Sequence, residues 1–176
     1  MKSLQTIQKT FGVFQILTKI AMILAFVGAG LAVLGLLYVT AWYHGGIAVG
    51  FDQDMLYFLT KTGEMKEILG VLIVDTITVL TDGILLAFAY SYLKAEQADG
   101  TPFTKSGAEQ MKRLGIRTIV LPLVSVILIA ILYGIFDLPQ NSGSDWSNGF
   151  SVTMGIVLIL TSLIFRYGAE LEEKNK

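Results

Sequence analysis

The chain has 176 residues, of which 53% are hydrophobic and only 15% charged, with a net charge of −1 and no cysteine. Soluble domains carry about 25% charged residues, so the composition excludes an ordinary soluble domain and indicates a protein covered by lipid. The absence of cysteine excludes disulfides and thiol chemistry, and the balanced charge predicts no direct binding of nucleic acid.

Four apolar stretches are long enough to cross a bilayer as helices, which takes about 20 residues each. They cover about residues 20–39, 68–93, 116–136 and 150–165. Backbone groups in hydrocarbon must satisfy their own hydrogen bonds, which favours helices. The sequence therefore predicts an all-α fold, an integral membrane four-helix bundle that occupies residues 1–176 as one domain.

The distribution of basic residues predicts that both termini are cytoplasmic. Eleven of the 13 Lys and Arg residues lie in the N-terminal arm, the connection between the second and third spans, and the C-terminal tail. The other two connections hold only Lys61 and Lys66. Positive charge stays on the cytoplasmic side, so we expect a multi-pass protein with an even number of spans.

The N-terminal region combines an amphipathic arm with a span rich in small residues. Apolar residues recur every three or four positions within residues 3–18, which predicts an interfacial helix on the inner leaflet. Small residues form one stripe on the first span, and such a stripe lets another helix approach closely. We favour a helix of the same chain as its partner, and a second copy in a homo-oligomer is the alternative. The stripe comprises Ala21, Ala25, Gly28, Ala32 and Gly35.

The outer connections indicate solvated loops. Residues 40–67 form a long acidic loop whose aromatic residues suit a membrane interface. His44 with Asp52 or Asp54 is a weak candidate for a metal site, because too few ligand types are present. We therefore expect no metal and no cofactor. Residues 137–149 are rich in turn-forming residues and indicate a connector.

Two carboxylates lie inside the second span. Asp75 and Asp82 are seven residues apart and share a helix face with Thr78. A charged Asp at a helix centre costs about 2.5–3.5 kcal/mol in a membrane, so we expect both to face the bundle interior. Hydrogen bonds from Thr78, or Arg166 reaching from the fourth span, would lower that cost. A proton or cation relay and polar contacts between helices both remain open as roles.

The connection at residues 94–115 predicts a tight cytoplasmic hairpin. Gly100 suits the end of a helix, and Pro102 prevents that helix from continuing. Thr104 or Ser106 can cap the next helix, and Ser106 with Glu109 fits a capping box. The hairpin would place Phe103 at its tip.

The tail at residues 166–176 continues the fourth span. Its glutamates, including Glu170, are expected to meet Lys112 and Arg113 of the neighbouring helix. Exposed ion pairs contribute only about 0–1 kcal/mol each, so these would fix geometry more than stability.

Two cytoplasmic motifs carry a resemblance to a known family. "DGTPFT" (99–104) and "RYGAELEE" (166–173) resemble the YoaS-like family of small four-span bacterial membrane proteins, a domain of unknown function. The resemblance extends from about residue 20 onward and implies the bacterial cytoplasmic (inner) membrane. Genes of the family often lie beside a small helix-turn-helix regulator.

The resemblance implies a membrane protein that docks a small cytosolic transcriptional regulator. An equally weighted alternative is that the motifs only cap and pack the inner end of the helices. The implied docking surface comprises Asp99, Gly100, Pro102, Phe103, Lys112, Arg113, Arg166, Tyr167 and Glu170.

No catalytic motif is present in the sequence, so we expect no enzymatic activity. The resulting interpretation is a non-enzymatic regulatory or sensory membrane protein, with membrane lipid and a cytosolic regulator as partners. The alternative is a small proton- or cation-linked transporter, or an immunity-type membrane protein, that uses Asp75 and Asp82.

Overall fold

The computed structural model describes residues 2–43, 65–99, 104–137 and 145–174. These residues form four helices, α1 (Lys2–Tyr43), α2 (Met65–Asp99), α3 (Lys105–Phe136) and α4 (Asp145–Lys174). Each helix is long and apolar enough to cross a membrane, over Lys9–Ala41, Lys66–Ala98, Lys105–Phe136 and Ser151–Leu171. The predicted all-α fold with four membrane-spanning candidates is confirmed, while the location of the termini stays a prediction.

The helices are longer than the predicted spans that they contain. They have 42, 35, 32 and 30 residues in chain order. At about 1.5 Å per residue even the shortest measures roughly 45 Å, whereas the hydrocarbon core of a bilayer is about 30 Å thick. Each helix is therefore longer than the thickness of the hydrocarbon core that it is able to cross.

The boundaries differ from the prediction in α1 and α4. α1 is one uninterrupted helix, where the sequence suggested an interfacial helix followed by a span, because residues 13–27 contain no Gly or Pro to break it. α4 begins at Asp145, inside the predicted connector. Residues 44–64, with His44, Asp52 and Asp54, lie outside the described residues.

The chain divides into two compact units. The first unit comprises Met1–Ile23, Gly83–Leu123 and Ser144–Lys176, and the second comprises Leu24–Asp82 and Val124–Gly143. α1, α2 and α3 each contribute to both units, whereas the whole of α4 belongs to the first.

The first unit packs around a cluster donated by α2 and α3. Tyr92, Met111 and Leu114 are buried at its centre. The Arg117 guanidinium lies 4.0 Å from the centroid of the Phe88 ring, which is a cation–π distance. Partly buried residues complete the cluster, namely Phe88, Ala89, Leu93, Leu158 and Phe165.

Two glycines let α3 and α4 touch through their backbones in the first unit. A Cβ atom on Gly115 would lie 2.8 Å from the carbonyl oxygen of Gly155 and 3.1 Å from the backbone nitrogen of Ile159. A Cβ atom on Gly155 would overlap the side chain of Ile119. Because backbone atoms cannot rotate away as side chains do, the helices can approach this closely only without side chains at these positions.

The second unit contains two apolar clusters and a polar contact between α2 and α3. Val39 of α1 packs on Ile68 of α2, and Val74 of α2 packs on Ile129 of α3. The Thr81 hydroxyl donates a hydrogen bond of 3.2 Å to the Ser125 hydroxyl.

An ion pair joins the end of α3 to the start of α2 in the second unit. Asp137 follows α3 with a φ of 53°, a left-handed conformation that ends a helix. Its carboxylate accepts a hydrogen bond of 2.7 Å from Lys66 Nζ. This hydrogen bond and the lysine charge lower the pKa of Asp137 below its usual value of 3.8.

We predict that Gly115→Ala destabilises the protein, since the added methyl group meets backbone atoms. Overpacking of this kind costs about 1–3 kcal/mol. Gly30→Ala is the matched control, because no described atom outside the local helix backbone and the two chain neighbours lies within 4 Å of its Cβ position. The control should gain about 0.5–1 kcal/mol from helix propensity. Thermal unfolding in detergent, followed by circular dichroism, measures the stability of both variants. Equal melting temperatures for Gly115→Ala and Gly30→Ala would contradict the close backbone contact.

We predict that the Lys66–Asp137 pair stabilises the fold weakly and in a pH-dependent way. Since the folded pKa is lowered, the contribution is complete above pH 3.8 and is lost as the pH falls through the lowered pKa. Asp137→Asn and Asp137→Gly both remove the pair, but glycine also relieves the left-handed backbone. Asp137→Gly should therefore melt at a higher temperature than Asp137→Asn, and the reverse order would contradict the assigned backbone conformation.

Candidate functional site

An open groove of about 570 Å³ lies between the first turns of α3 and the last turns of α4, within the first unit. We call it the α3–α4 groove. α3 contributes Lys105, Ala108, Glu109, Lys112, Arg113 and Ile116, and α4 contributes Ser162, Leu163, Arg166 and Glu170.

The groove follows from the spacing of its residues and from the glycine contact. On α3 the lining positions recur every three or four residues, so they form one face. Gly115 of α3 contacts Gly155 of α4, and Lys105 pairs with Glu173, which shows that the two helices run antiparallel. The groove therefore starts beside the glycine contact and opens toward the start of α3 and the end of α4.

Thr104 caps the start of α3. The backbone N–H of Gly107 donates to Thr104 Oγ1 at 2.9 Å, and that of Ala108 donates to the Thr104 carbonyl at 3.0 Å. Of the two predicted caps, Thr104 is the one that forms. The predicted capping box of Ser106 with Glu109 is wrong, because α3 begins at Lys105 and so already contains Ser106.

A buried carboxylate packs beneath this cap. Glu96 is 4% exposed and Tyr92, one turn earlier on α2, is 7% exposed. A Cβ atom on Gly107 would overlap Glu96 Oε1 and would lie 2.9 Å from Thr104 Oγ1. Gly107 therefore makes room for the carboxylate at the positive end of the α3 dipole, where negative charge is favoured. The sequence prediction missed Glu96, although a glycine in the first turn of a helix signals such an approach.

Ion pairs organise the charged side chains of the groove. Arg113 Nη2 lies 2.6 Å from Glu109 Oε1, and Arg166 Nε lies 3.3 Å from Glu170 Oε1. The predicted contact between α3 and the tail of α4 forms through Lys105 and Glu173, in place of Lys112 or Arg113. Exposed pairs contribute only about 0–1 kcal/mol each.

Four of the residues that the family resemblance assigns to docking converge on the groove. Lys112 and Arg113 line it from α3, and Arg166 and Glu170 line it from α4. Tyr167 follows Arg166 and is 64% exposed. Asp99 ends α2, and Gly100, Pro102 and Phe103 lie outside the described residues. The groove also includes residues outside the predicted docking surface, namely Lys105, Ala108, Glu109, Ile116, Ser162 and Leu163.

Asp75 and Asp82 are placed differently from the prediction. Both side chains are exposed, so the expectation that they face the interior of the chain is wrong. Val74 and Thr76 lie about 100° to either side of Asp75 on the helix. These neighbours are buried, at 9% and 8% exposure, and they fix the rotation of α2.

The predicted hydrogen-bond and charge partners of these aspartates have other contacts. The Thr78 hydroxyl donates to the carbonyl of Val74 at 3.0 Å, within α2. Arg166 pairs with Glu170, one turn further along α4. Among the residues that the structure describes, no three His, Asp or Glu side chains group as a metal ion would require.

The small stripe of α1 lies on its packed side. All five residues from Ala21 to Gly35 are half-buried, while most of the intervening apolar residues are exposed. The Cβ position of Gly28 lies 3.6 Å from Val79 Cγ1 of α2. This contact is with the same chain.

No family model matches the chain, and neither the curated proteins nor the solved structures provide a match. Membership of the YoaS-like family therefore stays a prediction that rests on the two cytoplasmic motifs.

We predict that Gly107→Ala lowers stability and that the loss depends on Glu96. The added methyl group competes with the buried carboxylate, so Glu96→Ala should relieve part of the damage. A double-mutant cycle by thermal unfolding should then give a coupling within the usual range of about 0.5–3 kcal/mol. Gly12→Ala is the matched control, since its Cβ would lie 3.5 Å from Gln97 Nε2, an ordinary contact. Strictly additive effects of Gly107→Ala and Glu96→Ala would refute the assigned contact.

Proposed function

We propose that this chain is a non-enzymatic protein of the bacterial cytoplasmic membrane that docks a small cytosolic helix-turn-helix regulator on the α3–α4 groove. The observation that supports this most is the convergence of Lys112, Arg113, Arg166 and Glu170 on one groove. These residues come from two segments that are about fifty positions apart in the sequence, and the family resemblance assigns all four to docking.

The proposed orientation places the groove where a cytosolic protein can reach it. With both termini inside, the start of α3 and the end of α4 face the cytoplasm. α4 exceeds the hydrocarbon thickness by about 15 Å, from its length of roughly 45 Å. The last turns of α4 are then accessible to a soluble partner.

The chemistry of the groove suits a protein partner. Arg and Tyr are enriched at the centres of protein interfaces, and this groove offers Arg113 and Arg166 with the exposed Tyr167 beside them. The weak ion pairs of the two arginines lie within their own helices, so they can yield to a partner's carboxylates at small cost. Transport through Asp75 and Asp82 draws less support, since both residues are exposed in the structure.

We expect a photocrosslinking amino acid at Tyr167 to capture the regulator in intact cells. The matched control is the same amino acid at Leu160, two turns earlier on α4 and 56% exposed. Mass spectrometry of the adducts should identify a helix-turn-helix protein at Tyr167 and none at Leu160. The proposal fails if Tyr167 yields no protein adduct, or if both positions yield the same proteins.

A charge variant tests whether the groove itself carries the contact. Arg166→Gln should reduce the yield of the Tyr167 adduct about tenfold, as expected when an interface arginine contributing near 1.4 kcal/mol is removed. Lys19→Gln, at an exposed cation on α1, should leave the yield unchanged. An unchanged adduct in Arg166→Gln would place the partner elsewhere.

A further inference from the structure

The α3–α4 groove is charged toward the helix ends and apolar toward the helix interiors. Because the two helices are antiparallel, Ile116 and Leu163 lie at the end nearest the glycine contact, and Lys112, Arg113 and Arg166 lie nearer the helix ends. Beyond Ile116 and Leu163, the apolar side chains of both helices continue exposed. A ligand that is complementary to the whole groove must be anionic at one end and apolar at the other.

We propose that the groove binds an anionic phospholipid. The phosphate lies between Lys112, Arg113 and Arg166, and the acyl chains run along Ile116 and Leu163. Basic pockets between membrane helices on the cytoplasmic side are suited to such headgroups. This inference does not rest on the proposed docking of a regulator.

The charges of the groove favour an anionic headgroup over a neutral one. Its lining holds four basic residues and two carboxylates, and Lys105 also pairs with Glu173, which leaves a surplus of one positive charge. Arg113 uses Nη2 and Arg166 uses Nε for its ion pair, which leaves further donors of each guanidinium for a phosphate. Lys112 forms no ion pair with any residue that the structure describes.

The position of the groove favours a lipid over a dissolved anion. Arg166 and Leu163 both lie within the membrane-spanning candidate Ser151–Leu171, and Lys112 and Ile116 lie within Lys105–Phe136. A free phosphate would contact the cations alone and make no contact with Ile116 and Leu163. A phospholipid supplies the phosphate and covers those side chains in the same binding event.

Native mass spectrometry of the purified full chain tests the proposal with phosphatidylglycerol and phosphatidylcholine. Wild-type protein should retain phosphatidylglycerol at least tenfold more strongly than phosphatidylcholine. Lys112→Gln with Arg113→Gln should weaken that retention roughly thirtyfold, as expected for the loss of two basic residues that face an anionic lipid. Lys19→Gln with Lys94→Gln is the matched control, since both cations are exposed and lie outside the groove, and it should behave as wild type. All variants should keep the wild-type helical signal in circular dichroism.

Three outcomes would overturn the assignment. The first is equal retention of the two lipids by wild-type protein, and the second is unchanged phosphatidylglycerol retention in Lys112→Gln with Arg113→Gln. The third is displacement of phosphatidylglycerol by an equal concentration of inorganic phosphate, which would identify a free anion as the ligand. Because no partner protein is present in this experiment, its failure is distinguishable from failure of the regulator to dock.

Discussion

The backbone contact between Gly115 and Gly155 is the constraint on which the described site depends. In hydrocarbon, helices gain little from burying apolar side chains, so close packing of small residues does much to hold them together. Here that packing brings α3 and α4 near enough for Lys105 to reach Glu173, and it fixes which faces of the two helices line the groove. A side chain at either glycine would separate the helices and widen the groove, and the cations of α3 would then move away from Arg166.

The helices and their apolar character follow from sequence, because composition and length suffice to identify a segment that is able to cross a membrane. The packing that builds the groove, in contrast, does not follow from the sequence. The stripe on α1 is recognisable because its small residues repeat within one helix, whereas Gly115 and Gly155 are single glycines forty positions apart. Nothing local relates them, and their pairing exists only once the antiparallel register of α3 and α4 is set. The cap of α3 shows the same limit, since N-cap propensity favours Ser106 over Thr104, yet Thr104 forms the cap because the helix begins at Lys105.

Asp75 and Asp82 show how an energetic rule can identify a special position without giving its orientation. A carboxylate avoids hydrocarbon at a cost of about 2.5–3.5 kcal/mol, which makes the pair unusual wherever it faces. The rotation of α2, however, is decided by its neighbours: Val74 packs on Ile129, and Thr76 is buried on the other side. Between these two packed faces the aspartates are left on an exposed strip. Two buried neighbours therefore outweigh one polar preference in setting which face of the helix packs against the chain.

The two proposals for the groove assign the same cations to different ligands, and this has a physical consequence. A lipid phosphate and a partner's carboxylates at Arg113 and Arg166 would occupy the same part of the groove and repel each other as like charges, so the two ligands would compete. A ligand that occupies a shared site weakens its competitor by the factor 1 + [L]/Kd, where L is the lipid. The content of anionic lipid around the protein would thereby set how much of it is available to a regulator. Gly115 and Gly155 do not line the groove, so this competition would require exchange of ligands at one surface and no rearrangement of the helices.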